Sequence, residues 1–166
     1  MTSTPEGHRV SARLAGGAAT VVAIHTSEAR YLPAIDEFLA ARYPSSAVDR
    51  VAVPGGAWWL AKAASLSESR VRRFIMGELK PVREGMRALV DSQGLREVVL
   101  IAAQDCAWYR RLYPRLSPGD VVRRQGEDMF RARDEARRWT GRPIAISGHI
   151  LTFDREGLVT FRTVFQ

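Results

Sequence analysis

The sequence has 166 residues, of which 46% are hydrophobic and 26% charged, and its formal net charge is +7 at pH 7. This mix is typical of one globular domain with a core of its own. Because the chain has a single cysteine, Cys106, an internal disulfide is excluded, and the apolar run over residues 18–24 is too short to cross a membrane. We therefore expect a cytoplasmic protein with no membrane partner.

The N-terminal half alternates between short strands and helices. Residues 1–17 are polar and Gly-rich and are predicted to form a flexible leader, and residues 18–166 are predicted to form a single domain. The first predicted elements are a buried strand over 20–24, a helix over 31–43, a second strand over 47–53 ended by Pro54-Gly55-Gly56, and a short helix over 57–64.

The C-terminal half continues the alternation. A long helix is predicted from Ser67 to a C-cap at Gly94, with Pro81 inside it. The remaining predicted elements are a strand over 97–102, a helix from the turn at 117–120 to Thr140 with Met129 and Phe130 inward, a strand over 143–150, and a hairpin over 151–165 that turns at 154–157. The hairpin side chains Val159, Phe161, Thr163 and Phe165 are expected on one side of it.

This order of elements predicts an α/β fold of three layers, in which a central, mainly parallel four-stranded sheet is flanked by helices and extended by a C-terminal β-hairpin. Ligands of such sheets bind at the carboxyl ends of the strands, near the switch in strand order. That rule selects three loops, residues 25–30, 54–59 and 103–108. His149, at the end of the fourth strand, is a further candidate.

The first loop reads His25-Thr26-Ser27-Glu28-Ala29-Arg30. An arginine two residues from a glutamate in a turn can hold the carboxylate by a bidentate bond, which keeps it ionised and oriented. The same residues also suit a helix N-terminus, with Thr26 or Ser27 as the cap and Glu28 favoured by the helix dipole. The sequence leaves both interpretations open.

The other two loops carry a close turn and the cysteine. Gly55-Gly56 allows the backbone to approach a ligand or a neighbouring chain, and one of the adjacent Trp58 and Trp59 is expected to line a pocket or a subunit interface. Cys106 follows Asp105 at a predicted helix start. A thiol there can be a ligand or a nucleophile, although a lone cysteine is more often a small apolar filler.

Arginine accounts for 23 of the 25 basic residues, and residues 110–142 hold ten arginines against five acidic residues. This segment reads mainly as an exposed helix with ion pairs between neighbouring turns. It lacks the interleaved aromatic residues of a single-strand platform and any groove-reading motif, so a nucleic-acid partner is not expected.

Taken together, the three loops resemble the beta-class carbonic anhydrases, particularly their short bacterial relatives. That family has a Cys-x-Asp-x-Arg motif after its first strand, a Gly-Gly turn after the second, and a His-x-x-Cys motif after a later one. Residues 26–30 of this chain fall on the first motif, residues 53–56 on the turn, and residues 103–106 on the last motif. The resemblance spans residues 20–150 and implies a homodimer with the sites near its interface.

The same resemblance implies a degenerate zinc site. In the family, two cysteines and one histidine hold the metal, whereas here Thr26 stands at the first cysteine position and Ala103 at the histidine position. Only Cys106 survives, and the family's Asp–Arg pair becomes Glu28 and Arg30. A hydroxyl and a methyl group do not replace a thiolate and an imidazole on zinc. Hydration of carbon dioxide by zinc is therefore not expected.

Three interpretations remain. In the first, a metal-free pocket binds or transforms a small anion or a small carbonyl compound. In the second, the chain is a non-catalytic homodimer that serves binding or scaffolding, with the arginine-rich helix as its contact surface. In the third, His25, Cys106 and an acidic residue form a rearranged metal site with lyase or hydrolase activity, although neighbours on a strand point in opposite directions. The sequence leaves open whether the chain is an enzyme. The predicted catalytic residues are Glu28, Arg30, Asp105 and Cys106, and the predicted pocket residues are His25, Thr26, Gly55, Gly56, Trp58 and Ala103.

Overall fold

A computed structural model describes residues 19–65, 94–141 and 143–166, together with seven isolated helical residues between 77 and 91. The predicted leader over 1–17 and most of the predicted helix from Ser67 lie outside the described residues, so these predictions stay open. Gly94, predicted as the C-cap of that helix, has a left-handed backbone with φ of 70°.

Five strands form one sheet in the order β2-β1-β3-β4-β5. Neighbours among the first four strands are parallel, and β5 is antiparallel to β4. The predicted parallel sheet with a C-terminal hairpin is thus confirmed. The second half of β4 is itself one arm of the hairpin, so the hairpin adds a single strand. The strands are β1 (Val21–Thr26), β2 (Val48–Val53), β3 (Glu97–Ala103), β4 (Ala145–Phe153) and β5 (Val159–Phe165).

Helices cover both faces of the sheet. On one face, α1 (Leu32–Arg42) packs Ile35 and Leu39 against β1 and β3, and on the other α2 (Trp58–Ser65) and α4 (Pro118–Thr140) form the larger core. The short helix α3 (Ala107–Leu112) directly follows Cys106. All six residues of β1 are buried because this strand lies inside the sheet and is covered on both faces.

The C-terminal strand departs from the predicted alternation. The register of β4 and β5 shifts between Gly148 and His149, which is the mark of a β-bulge. Phe161 stacks on Phe38 of α1, whereas Phe165 lies beside Phe130 of α4 on the opposite face. The prediction that the hairpin residues share one side is therefore wrong. Phe130, predicted inward, is 43% exposed.

Gly148 lies at the bulge and is in close contact with Phe165. A Cβ atom at Gly148 would lie 2.6 Å from the Phe165 ring, so the ring occupies space that a side chain at residue 148 would need.

Among the described residues, no helix is both long enough and apolar enough to span a bilayer.

Candidate functional site

The carboxyl ends of β1 and β3 lie side by side and place the first and third loops in contact. His25 of β1 pairs with Ile101 of β3 in the parallel ladder. One residue further along β1, the Thr26 hydroxyl lies 3.9 Å from the Cys106 sulfur, and both side chains are buried. The predicted meeting of these two loops is thus observed.

A charged cluster connects the same loops at their solvent side. Arg30 donates through Nε and Nη2 to Glu28 Oε2 at 3.2 and 3.0 Å, which is the predicted clamp. Its Nη1 donates to Asp105 Oδ2 at 3.2 Å, and its Nη2 also contacts the Asp105 carbonyl oxygen. Arg110 approaches the other oxygen of Asp105 at 3.0 Å. Arg30 therefore joins the first loop to the third.

Glu28 makes a second connection through its other oxygen. The backbone N–H of Ala107, at the start of α3, donates to Glu28 Oε1 at 2.7 Å. The hydroxyl of Tyr31 donates to the Asp105 carbonyl oxygen at 3.0 Å, and burial raises the pKa of Tyr31 to about 12, so the phenol keeps its proton. The N-cap of the turn over Ala29–Tyr31 is Glu28 and that of α1 is Tyr31, so the prediction that Thr26 or Ser27 caps this helix is wrong.

The thiol of Cys106 is shielded and neutral. Its residue is 1% exposed, and burial raises the pKa of the thiol, with the nearby Glu28 carboxylate adding to the rise. Both effects oppose the thiolate, which is the form that attacks electrophiles and binds metals. Cys106 packs with Trp58, Tyr109 and Val121 in a small apolar cluster.

The turn at Gly55 and Gly56 packs closely against neighbouring segments of the same chain. Gly55 and Gly56 have positive φ angles of 76° and 53°. A Cβ atom at Gly56 would lie 2.9 Å from the Ile101 carbonyl oxygen and 3.2 Å from the Thr26 backbone nitrogen. At Gly55 it would overlap the Trp108 ring. The predicted close approach is therefore to a neighbouring segment of the same chain.

Three tryptophans cluster beside this turn. The ring centroids of Trp58 and Trp108 are 5.5 Å apart in an edge-on arrangement, and Trp59 stacks on Trp108 at 5.6 Å. Trp59 donates its indole N–H to the Pro54 carbonyl oxygen at 2.9 Å. The buried indole N–H groups of Trp58 and Trp108 have no hydrogen-bond partner in the described part of the chain. Such buried donors are rare and require an explanation.

The two histidines in the sheet lie on its other face. His25 alternates with Val21 and Ala23 toward α1, while Thr26 points to the opposite side, next to Cys106. His149 lies against Phe38, also of α1, at a centroid distance of 4.9 Å. Burial lowers the pKa of both imidazoles, to about 4 for His149. A metal site that combines His25 with Cys106 is not supported by this geometry.

Gln125 is a site residue that the sequence interpretation did not identify. This fully buried side chain of α4 donates to the Ala103 carbonyl oxygen at 2.7 Å, and the same oxygen accepts the N–H of Cys106 at 3.2 Å. Its own Oε1 atom has no partner among the described residues. A glutamine amid the apolar positions of α4 was the only signal in the sequence, and it did not specify the partner.

The donors around Thr26 and Cys106 do not fit the zinc that the resemblance implies. Ala103 has no donor atom and packs with Tyr31 and Leu151 under α1. Thr26 offers a hydroxyl in place of a thiolate, which leaves the Cys106 sulfur as the one soft donor of this group. Zinc sites in proteins use three or four thiolate, imidazole or carboxylate ligands. No cluster of three or more such side chains suited to a metal occurs in the described ranges.

Comparison with known proteins identifies the fold. No protein-family model matches the sequence, and no curated protein matches it. Among solved structures, the chain is similar to beta-carbonic anhydrase isoform I of the protozoan Trichomonas vaginalis, with 12% identity, 93% of this chain and 87% of that chain covered, and a TM-score of 0.51. The fold is therefore that of a beta-carbonic anhydrase.

Two further structures match with lower TM-scores. A beta-carbonic anhydrase of the fungus Aspergillus fumigatus has 12% identity and a TM-score of 0.45 over 91% of this chain and 78% of that one. A Coccomyxa beta-carbonic anhydrase in complex with acetazolamide has 13% identity and a TM-score of 0.47 over 87% and 72%.

The predicted site residues thus divide into two groups. The first group meets at the ends of β1 and β3, and the second, the two sheet histidines, lies under α1. The catalytic and binding roles given to these residues stay predictions. The first group comprises Thr26, Glu28, Arg30, Asp105 and Cys106, with Gly55, Gly56 and Trp58 beside them and Ala103 at the strand end.

Proposed function

We propose that this chain is a carbonic-anhydrase-like protein that binds a small anion or a small carbonyl compound without a metal. The observation that carries the proposal is the pair of buried indole N–H donors, of Trp58 and Trp108, that have no partner among the described residues. An unsatisfied buried donor costs about 1–3 kcal/mol, and an acceptor oxygen from a ligand would remove that cost.

The surroundings of these donors suit a small ligand. Trp58 packs against Cys106, and the indole of Trp108 lies against Gly55, so both donors adjoin the loops at the strand ends. Ligands of open α/β sheets bind at this edge. Carboxylate, bicarbonate and carbonyl oxygens all accept hydrogen bonds from N–H donors of this kind. The tryptophan donors therefore extend the predicted pocket beyond Trp58 to Trp108.

The contacts of the predicted catalytic residues favour a binding role over a catalytic one. Both carboxylate oxygens of Glu28 accept hydrogen bonds from within the protein, and Arg30 is held by Glu28 and Asp105. The remaining candidate nucleophile, Cys106, is protonated and buried. We accordingly propose a binding protein in which zinc-dependent hydration of carbon dioxide has been lost along with the zinc ligands.

Indole resonances provide a direct test of the proposal. The chain has four tryptophans, and each gives one indole N–H signal in a nitrogen-15 correlation spectrum. On titration with bicarbonate, formate or acetamide, the signals of Trp58 and Trp108 are expected to shift in a saturable way. The signals of Trp59 and Trp139 should stay in place, because Pro54 O and Glu135 Oε1 already accept their N–H groups.

Matched variants separate the donor from the ring. Trp58→Phe and Trp108→Phe keep an aromatic ring and remove the N–H, and each is expected to weaken binding at least about tenfold. Trp59→Phe removes a donor that the protein already satisfies, so it should leave affinity unchanged. If no probe shifts the Trp58 or Trp108 signals at millimolar concentration, or if all four shift equally and without saturation, the proposed site is wrong.

A second candidate function is a homodimer that serves binding or scaffolding. The observation that favours it is the apolar surface at the hairpin, where Leu158 is 69% exposed and Val159, which lies beside Phe38 and Phe161, is 40% exposed. Large exposed apolar groups of this kind often mark protein contacts. The sheet also ends in two edge strands, β2 and β5, whose outer hydrogen-bonding groups face away from the sheet.

A further inference from the structure

We infer that the cluster of Glu28, Arg30, Asp105 and the Ala107 backbone N–H, here called the loop lock, takes the place of a metal as the cross-link between the first and third loops. The inference starts from the mismatch between these residues and the zinc that the fold implies. It is independent of any ligand at the tryptophans, because it concerns how the empty protein holds its loops together.

The first half of the loop lock is the Glu28 carboxylate. One oxygen accepts the Ala107 N–H at 2.7 Å, and the other accepts two N–H groups of Arg30 at 3.0 and 3.2 Å. Hydrogen bonds to an ionised acceptor are stronger than neutral ones. Because Ala107 is the first residue of α3, this single side chain fixes the start of that helix to the first loop.

The second half of the loop lock is the Arg30 guanidinium. It contacts both the carboxylate and the backbone carbonyl of Asp105, and its plane lies over the Tyr31 ring at 4.5 Å. The Tyr31 hydroxyl reaches the same carbonyl oxygen at 3.0 Å. Arginine in such a site cannot be replaced by lysine, because only the planar guanidinium donates several hydrogen bonds in fixed directions.

The loop lock and a metal would compete for the same groups. A metal at Thr26 and Cys106 would need a carboxylate from Glu28 or Asp105 to complete its ligands. Glu28 has both oxygens in the loop lock, and Asp105 is shared between Arg30 and Arg110. Recruiting either acid would break the contacts that now hold the loops.

Hydrogen exchange at the Ala107 amide is the measurement that tests this inference, because that amide is a member of the loop lock. In the ligand-free full chain, Arg30→Gln is expected to accelerate its exchange by about three- to tenfold, because Arg30 is 47% exposed and exposed ion pairs contribute about 1 kcal/mol or less. Arg110→Gln removes an arginine from the same carboxylate, Asp105, but leaves Glu28 and Arg30 in place, so exchange at Ala107 should stay within about twofold of wild type. The amides of β3 serve as the internal reference.

A second experiment, with a chelator, distinguishes the loop lock from a bound metal. Treating wild-type protein with EDTA, or adding zinc, should change neither the exchange at Ala107 nor the melting temperature. If EDTA accelerates exchange as much as Arg30→Gln does, a metal holds the loops and the inference is wrong. It is equally wrong if Arg30→Gln leaves the exchange at Ala107 unchanged. Since no probe ligand is present, either result is independent of the indole titration.

Discussion

Thr26 and Cys106 are 80 residues apart in the sequence, yet the hydroxyl oxygen of one lies 3.9 Å from the sulfur of the other. Two thiolates on one tetrahedral zinc would be about 3.8 Å apart, from a Zn–S distance of about 2.3 Å. The side-chain atoms at these two positions thus lie at the spacing of a zinc ligand pair, although one of them is a hydroxyl oxygen. Under the proposal of a metal-free site, the difference from zinc chemistry lies in these side chains and not in the fold.

Restoring the family's donors tests whether the strand ends can hold a metal. Thr26→Cys combined with Ala103→His supplies two thiolates and an imidazole. Because residue 103 faces the cluster under α1, on the side of the sheet opposite to Thr26, we expect the double variant to bind no more zinc than Thr26→Cys alone. Elemental analysis after dialysis against trace zinc measures the stoichiometry. About one equivalent of zinc in the double variant, and none in Thr26→Cys, would show that the imidazole does reach the two sulfur atoms.

The Cys106 thiol should react slowly in the folded protein. Its 1% exposure and raised pKa both reduce the thiolate that a disulfide reagent can reach. At pH 8 we expect labelling to be at least about a hundredfold slower than in 6 M guanidinium chloride, where the chain is unfolded. Labelling of the native protein at the rate of the unfolded chain would mean that Cys106 is accessible and would return it to the list of candidate nucleophiles.

Local patterns in the sequence were sufficient to predict the sheet. The apolar runs before His25 and before Gln104 predicted buried strands, and the parallel order of the first four followed from the helices between them. The Arg30–Glu28 contact was also predictable, because the two residues lie two positions apart in one turn.

Contacts that depend on distant segments could not be predicted in this way. The bulge at Gly148 reverses the side of Phe165, and an alternation rule contains no information about a register shift. Gln125 reaches Ala103 from a helix 22 residues later, so its partner depended on how α4 packs on the sheet. The unsatisfied indole donors of Trp58 and Trp108 are likewise a property of the packed structure.

His149 should make the protein less stable in acid. Burial, with a contribution from Arg42, lowers the pKa of its imidazole from 6.5 to about 4. Between these values the unfolded chain binds a proton that the folded chain does not, so the free energy of unfolding falls as the pH drops from 6.5 to 4. This one group can contribute up to about 3 kcal/mol to that fall.

The variant His149→Gln isolates that contribution. Its free energy of unfolding, measured by urea titration between pH 7 and pH 4.5, should fall less steeply than that of wild type. His25, which is also buried, has a pKa lowered in the same direction and keeps part of the slope. Identical slopes in the two proteins would mean that His149 titrates normally in the fold.

The exposed end of the hairpin should contribute to self-association if the protein is a homodimer. We expect sedimentation equilibrium at micromolar concentration to give twice the 18.5 kDa mass of the chain. Leu158→Glu replaces the most exposed large apolar residue of the described ranges with a charge and should shift the equilibrium toward monomer if the hairpin is part of the contact. Thr160→Glu, two residues further along the chain in β5 and polar already, is the control. A wild-type monomer at these concentrations would contradict the homodimer.

Gly56 should be the least replaceable residue of the second loop. Its φ of 53° costs a residue with a side chain roughly 1–2 kcal/mol. A Cβ atom there would also lie 2.9 Å from the Ile101 carbonyl oxygen, and relieving that overlap requires a backbone shift worth about 1–3 kcal/mol more. Gly157 has a φ of 84° and open space around it, so Gly157→Ala should cost only the roughly 1–2 kcal/mol of the left-handed backbone conformation. Urea titration followed by circular dichroism should therefore find Gly56→Ala clearly less stable than Gly157→Ala. Equal losses would mean that the turn can move away from β1 and β3, and that the ends of these strands are less tightly covered than the contacts of Gly56 indicate.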